Sequence, residues 1–227
     1  MYKIYLSPSD QVENRYAYGG TNENDQCERI ADATEKALER CGFAVKNNKK
    51  SSMKDRVSES NKWGADLHVA IHTNAFNKKV TGTRLFCYSK TGPGYKACQS
   101  IFKFLAPLTP GTSENIKVDK TLYETRKTNM ATVYLEIDFH DVKAIAQWII
   151  EHVEEIGEAI AEGICDYFKV EYKEPEPIVE VKPVNDSETL YLVQVGAFKS
   201  KENAEAYANK IKAAGFSTYI KKEEKAK

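Results

Sequence analysis

The chain has 227 residues, 41% of them hydrophobic, enough for one cored domain with an appendage or for two small domains. Lysine plus arginine equals aspartate plus glutamate, 33 against 33, so the formal net charge is zero and no basic field marks a nucleic-acid binder. No apolar run is long enough to cross a membrane, and Met1-Tyr2-Lys3-Ile4-Tyr5-Leu6 reads as strand rather than as signal-peptide core, so neither membrane insertion nor secretory export is expected.

Residues 2–7 read as a strand that runs into the polar loop Ser7-Pro8-Ser9-Asp10-Gln11. Thr21-Asn22-Glu23 then precedes a helix over 24–41, with Cys27, Ile30, Ala31, Leu38 and Cys41 on one stripe and Gly42 as its stop. Phe43-Ala44-Val45 starts a second strand, residues 53–62 a second helix, and the next strand ends at His72. Thr83 to Tyr88 is a strand. Tyr95 to Leu105 is a helix that buries Cys98, Ile101, Phe102 and Leu105. Residues 107–129 form a polar stretch whose Thr109, Thr112, Ser113, Asn115 and Tyr123 either line a groove or make an ordinary surface excursion. Ala131 to Phe139 is an apolar strand, and Val142 to Phe168 one long helical stretch. Alternating strands and helices predict an α/β fold, a mostly parallel sheet with helices on both faces.

The pattern changes near Val170. Residues 171–189 hold Pro175, Pro177 and Pro183 among Glu, Lys and Val, the composition of an extended linker. Residues 190–227 read as a small βαβ unit: a strand over Leu190 to Phe198, a helix over Lys201 to Ala214, and a strand from Phe216 to Lys221. The expected division is therefore 1–170, 171–189 and 190–227. Five cysteines without a CxxC pair predict buried free thiols, not a cysteine zinc site or a disulfide framework.

The chemistry gathers at strand ends. In Ala65-Asp66-Leu67-His68-Val69-Ala70-Ile71-His72-Thr73-Asn74-Ala75, His72 stands where the apolar run stops, the place where open α/β sheets collect ligands. It reads as a metal ligand or as a hydrogen-bonded strand-end histidine. Four residues of strand span about 13 Å, so His68 and His72 cannot share one ion, and His68 reads as a satisfied core histidine. In the 131–139 strand Glu136 and Asp138 share one parity inside an apolar run. They are either paired structural carboxylates or a general acid/base. His140 and Asp141 follow. Asp10, Gln11 and Glu23 complete the polar set, although an acid at a helix entrance also suits the helix dipole.

These residues resemble, in order, the zinc-dependent N-acetylmuramoyl-L-alanine amidases of the amidase type 3 family. Glu23 stands seven residues before Ile30-Ala31, Ile71-His72-Thr73-Asn74-Ala75 matches the family's Ile-His-x-Asn-Ala block, and Glu136 matches its catalytic glutamate. The resemblance spans nearly the whole first domain, and Ser7-Pro8-Ser9-Asp10-Gln11 is similar to a phage-endolysin-like branch. It implies a Zn2+ held by Glu23, His72 and a third donor, with Glu136 moving the proton of the attacking water. It implies cleavage of the amide between N-acetylmuramic acid and L-alanine, with peptidoglycan as partner and the bacterial cell wall as place of action. One departure stands out: the family's first ligand is a histidine, and this chain has none before His68. Asp10 takes the equivalent place, with Gln11 beside it and His140 as a further donor. Val193-Gln194-Val195-Gly196-Ala197-Phe198 resembles the hallmark of sporulation-related repeat (SPOR) domains, so 190–227 is expected to be part of such a wall-binding unit. The rival from another class is a non-catalytic wall-binding protein with a degenerate metal site. A third reading is a different metal-dependent hydrolase on the same scaffold.

Overall fold

The computed structural model describes residues 1–175, 196–213 and 218–221. The chain divides into two compact units, Met1–Pro177 and Ile178–Lys227.

The first unit is built on one six-stranded sheet. Its strands are β1 (Lys3–Pro8), β2 (Ala44–Asn47), β3 (Leu67–Asn74), β4 (Arg84–Cys87), β5 (Asn115–Val118) and β6 (Ala131–Phe139). They lie in the order β2-β1-β3-β6-β4-β5. Every pairing is parallel except β4 with β6. The helices of this unit are α1 (Glu23–Arg40), α2 (Met53–Trp63), α3 (Pro93–Leu105), α4 (Tyr123–Lys127), α5 (Lys143–Glu151) and α6 (Val153–Phe168).

Period-two side-chain alternation gives the sheet two different faces. Ile4, Leu6, Leu67, Val69, Ile71, Val133, Leu135 and Ile137 fill one face and are fully buried with the apolar stripes of α1, α3 and α6. Helix α6 comes close because it carries glycine at both crossings. A Cβ on Gly157 would lie 2.5 Å from the Ala33 Cβ of α1, and one on Gly163 would lie 2.4 Å from the Ile101 Cα of α3. The other face carries Tyr5, Ser7, His68, His72, Tyr134 and Glu136, with α2 and α4 supplying buried polar partners for it. All five cysteines are buried.

Local signals set most of the boundaries. Helix α1 begins where the Asn22 side chain accepts the Asp25 amide, and α2 where Ser52 accepts that of Asp55. Gly64 closes α2 in the left-handed conformation, at φ 67°. One expectation is corrected and one stretch gains elements that the sequence did not show. The stretch 142–168 is not one helix: the backbone leaves the helical region at His152, φ −118° and ψ 31°, and α5 and α6 meet there. The polar stretch 107–129 contains β5 and α4, and its Thr109 is buried against Thr83. Neither element has enough residues to show a period.

In the second unit the described helix is α7 (Lys201–Ala213), against an expected 201–214. The linker expected over 171–189 lies outside the described residues from 176 onward, as does most of the strand expected from Leu190 to Phe198. Of the final strand, residues 216 and 217 lie outside them too.

Candidate active site

Parallel pairing brings the C-terminal ends of β1 and β3 to one edge, and β6 passes beside them. His72 and Glu136 are register partners on β3 and β6, on the same face. Glu23, the first residue of α1, reaches this edge from the N-terminal end of its helix. Its Oε1 lies 2.8 Å from His72 Nδ1, and both side chains are buried. Tyr134 stacks on the His72 ring at 4.4 Å between centres. The structure thus brings Glu23 and His72 into direct contact, with Glu136 on the same rung.

Asp10 does not join them. Its carboxylate turns away, accepts the Met53 amide at 3.3 Å and pairs with Arg56 at 3.5 Å. The cause is Arg56, a buried guanidinium that also donates to Ser7 Oγ at 3.0 Å and to the Ser51 carbonyl at 2.9 Å. A buried cation needs an anion nearby, and Asp10 is placed to serve it. The neighbouring side chain takes the inward position: Gln11 Nε2 lies 3.4 Å from Glu23 Oε1 and 3.3 Å from His72 Nδ1. Asn14 steadies both, donating to Gln11 Oε1 at 3.0 Å and to Glu23 Oε2 at 2.7 Å. His140 is bonded elsewhere. Its Nδ1 meets Thr73 Oγ1 at 2.9 Å, and its ring stacks on Tyr16 at 4.9 Å. Asp138 is buried and pins a loop, accepting the amides of Gly82 and Phe139 at 2.7 Å each.

Glu124 is the residue that sequence reasoning missed. It comes from the short helix α4 and is buried on the far side of His72, with its Oε2 3.8 Å from His72 Nε2. Its Oε1 accepts from Ser7 Oγ at 2.6 Å and lies 3.1 Å from His68 Nε2, and His68 Nδ1 meets Ser60 Oγ at 3.0 Å. His68 is therefore the satisfied core histidine expected of it. A lone acid in a polar stretch carries no sequence signal that it will be buried.

Charge is the dominant physical fact here. Burial by itself lowers the pKa of His72, but contacts with Glu124 and Glu23 reverse that and push it up to about 10. Burial raises the carboxyls of Glu23 and Glu124, and contacts with His72, and with His68 for Glu124, bring both below the usual range. Burial pushes Glu136 up to about 7, with His72 and Arg84 opposing it and Glu23 adding to it. Two buried carboxylates, Glu23 and Glu124, and the half-buried Glu136 thus face His72, and the buried oxygens Glu124 Oε2 and Glu136 Oε2 have no hydrogen-bond partner. Such a surplus of buried negative charge fits a bound cation. The nitrogen and oxygen donors fit too, since zinc accepts both imidazole and carboxylate. Ligands of a tetrahedron with bonds of about 2 Å stand roughly 3.3 Å apart. Glu23 Oε1 and His72 Nδ1 are 2.8 Å apart, and Gln11 presents Nε2 at 3.3–3.4 Å from both, so its oxygen takes that ligating place only with the amide turned over. Among the described residues no three His, Cys, Asp or Glu side chains form a metal-binding group, as expected when the third nearby donor is an amide.

Residues 9–166 match the family described as N-acetylmuramoyl-L-alanine amidase, and residues 187–227 match the SPOR domain. The chain is 25% identical over 171 residues to a sporulation-specific N-acetylmuramoyl-L-alanine amidase of Bacillus subtilis (strain 168), covering 74% of this chain and 62% of that relative. It thus spans less than two thirds of that relative's length. Among solved structures, the fold is similar to an N-acetylmuramoyl-L-alanine amidase from Clostridium difficile 630, with TM-score 0.68 and 22% identity over 74% of this chain and 97% of that one. It is also similar to the catalytic domain of CwlV from Bacillus (Paenibacillus) polymyxa var. colistinus, with TM-score 0.67 and 19% identity over 75% of this chain and 100% of that one.

Proposed function

The chain belongs to the N-acetylmuramoyl-L-alanine amidase family, and from that membership we propose that it hydrolyses the amide between N-acetylmuramic acid and the L-alanine of the stem peptide, at the bacterial cell wall. The observation that carries this reading is Glu136. It is a half-buried carboxylate whose Oε2 is buried without a hydrogen-bond partner and whose pKa is pushed up to about 7, one strand from the Glu23–His72 pair. A group that titrates near neutrality can both accept and return a proton.

Glu23 and His72 would hold a Zn2+, with the Gln11 side-chain oxygen as third donor once its amide is turned over. When bound, the ion polarises the scissile carbonyl and acidifies the attacking water. The remaining work belongs to the chain. Glu136 takes the proton of the water and hands it to the departing amine of L-alanine. Glu124 faces the outer nitrogen of His72 and holds the ring with Nδ1 toward Glu23, the way second carboxylates orient metal-binding histidines. Tyr134 covers one face of the ring and limits its rotation. The SPOR match at the C-terminal end supports a second hold on the same polymer, the glycan strand.

The test is incubation of the zinc-loaded protein with purified peptidoglycan and assay of newly exposed L-alanine amino groups. Their release by the wild-type protein and not by Glu136→Gln is the expected result. Release of reducing sugar ends instead, or of no product, would refute the amidase reading.

A further inference from the structure

The register of the sheet lays five strands across one rung of the active-site face. Ser9 follows β1 and donates its amide to the Ile71 carbonyl, beside His72. Then come His72 on β3, Glu136 on β6, Arg84 on β4 and Asn115 on β5. The next rung places Phe86 opposite Tyr134, and their rings meet edge to face at 6.3 Å. On this side of the sheet Tyr134, Glu136, Arg84, Phe86 and Asn115 are only half-buried, whereas Leu85 and Leu135 on the opposite face are fully buried. The floor therefore continues past Glu136, away from His72, and Arg84 is the next side chain along it.

Arg84 has donors to spare. Among the described residues it forms no ion pair, although it is the cation that opposes the upward shift of both Glu136 and Asp138. Its guanidinium lies over the Phe139 ring at 4.8 Å, and one Nη donates to Ser113 Oγ at 3.3 Å. Its Nε is buried and has no hydrogen-bond partner. Asn115, beside it on the rung, has a buried side-chain oxygen without a partner, and it donates to a carboxylate only with its amide turned over so that the NH2 takes that place. A buried donor left unmade costs about 1–3 kcal/mol, so an arginine kept in this condition beside a reaction site is poised for a ligand. Its planar fork matches a carboxylate.

We propose that Arg84, flanked by Asn115, is a carboxylate-binding subsite that selects stem peptides with a free α-carboxylate on the residue after L-alanine. This rests on the amidase reading given above. Adjacent strands lie about 4.8 Å apart, so the Arg84 backbone is about 5 Å from that of Glu136 and about 10 Å from that of His72. Two residues of extended peptide span about 7 Å, which carries a chain from the scissile amide to the guanidinium. In stem peptides the second residue continues through its γ-carboxyl, so its α-carboxyl hangs free as an acid or an amide. A guanidinium donates two parallel N–H bonds to the carboxylate form and has no acceptor to offer the NH2 of the amide form.

The test uses the zinc-loaded full chain and two peptides without a scissile bond, L-Ala-D-Glu and its α-amide, with affinities read by calorimetry. The wild type is expected to bind the acid at least about tenfold more tightly. Arg84→Met is expected to bring the acid to the level of the amide and leave the amide unchanged, and Arg84→Lys to keep part of the preference. Equal wild-type affinities, or an Arg84→Met loss that is the same for both peptides, would overturn the subsite. Wall cleavage is assayed in parallel. Cleavage without a preference sinks the subsite alone, whereas a preference without cleavage sinks the amidase reading and leaves Arg84 as a carboxylate receptor.

Discussion

Residues 135 and 136 are neighbours on β6, yet they belong to different problems. Leu135 points into the face packed by α1, α3 and α6, where the central strands place Ile4, Leu6, Leu67, Val69, Ile71, Val133, Leu135 and Ile137, all apolar and fully buried. Glu136 points into the face where carboxylates, imidazoles and two arginines, Arg56 and Arg84, meet. The first face uses apolar burial to hold the sheet together. The second spends part of that stability on buried polar groups, among them the carboxylate oxygens Glu124 Oε2, Glu136 Oε2 and Asp138 Oδ2 without partners. The comparison teaches that stability and reactivity are separated here by strand alternation alone, a single residue apart.

Exchanging side chains on the two faces should break stability and activity independently. Glu136→Gln is expected to lower turnover of peptidoglycan by about 10³-fold while the protein stays folded and binds zinc. Turnover within tenfold of wild type would place the proton carrier elsewhere, with Asp138 next along the strand. Leu135→Ala should do the reverse. It opens a cavity in a fully buried core and should cost about 3 kcal/mol in denaturant unfolding, while activity per folded molecule persists.

A pH series on metal-free protein sharpens the contrast. The folded pKa of Glu136, about 7, lies above its ordinary value of 4.5. Between those values the native state binds the extra proton, so this group's contribution to stability falls as pH rises. Above pH 7 the penalty levels off at a value on the order of 3 kcal/mol. Glu136→Gln should remove that fall, so the variant gains on the wild type from pH 4.5 to 7. Parallel unfolding curves for the two proteins over this range would show that the carboxylate is not buried as described.

The smallest effects concern the loop after β1. Gln11→Ala should weaken zinc binding by about tenfold or more, because it removes the inward-facing donor. Asp10→Ala should change zinc affinity little, because that carboxylate serves Arg56. The opposite ranking in a zinc titration would mean that the loop turns over when the metal arrives.

How much of this could be read beforehand follows from how local each signal is. The stripe of α1 and the alternation of β3 and β6 each repeat over enough residues to declare themselves. So the α/β fold and the shared parity of Glu136 and Asp138 were legible, whereas the pairing of Glu23 with His72 was implied by the amidase resemblance and by no period. Asp138 proved to be a loop clamp, which its parity could not reveal. Elements β5 and α4, with 4 and 5 residues, are too short to show a period, and so Glu124 stayed hidden. The break at His152 was hidden for the opposite reason, since apolar periodicity continues on both sides of it.

By itself the sequence determined which faces are apolar, where strands end, and which residue types stand at those ends, because strand and helix periods are properties of a dozen adjacent residues. Only the tertiary structure decided which of Asp10 and Gln11 turns inward, since that depends on Arg56, 46 and 45 residues further along the chain. It alone placed Glu124 behind His72 and Arg84 one strand beyond Glu136. Those neighbours are set by strand order and register, and these follow from how the buried faces pack rather than from any local pattern.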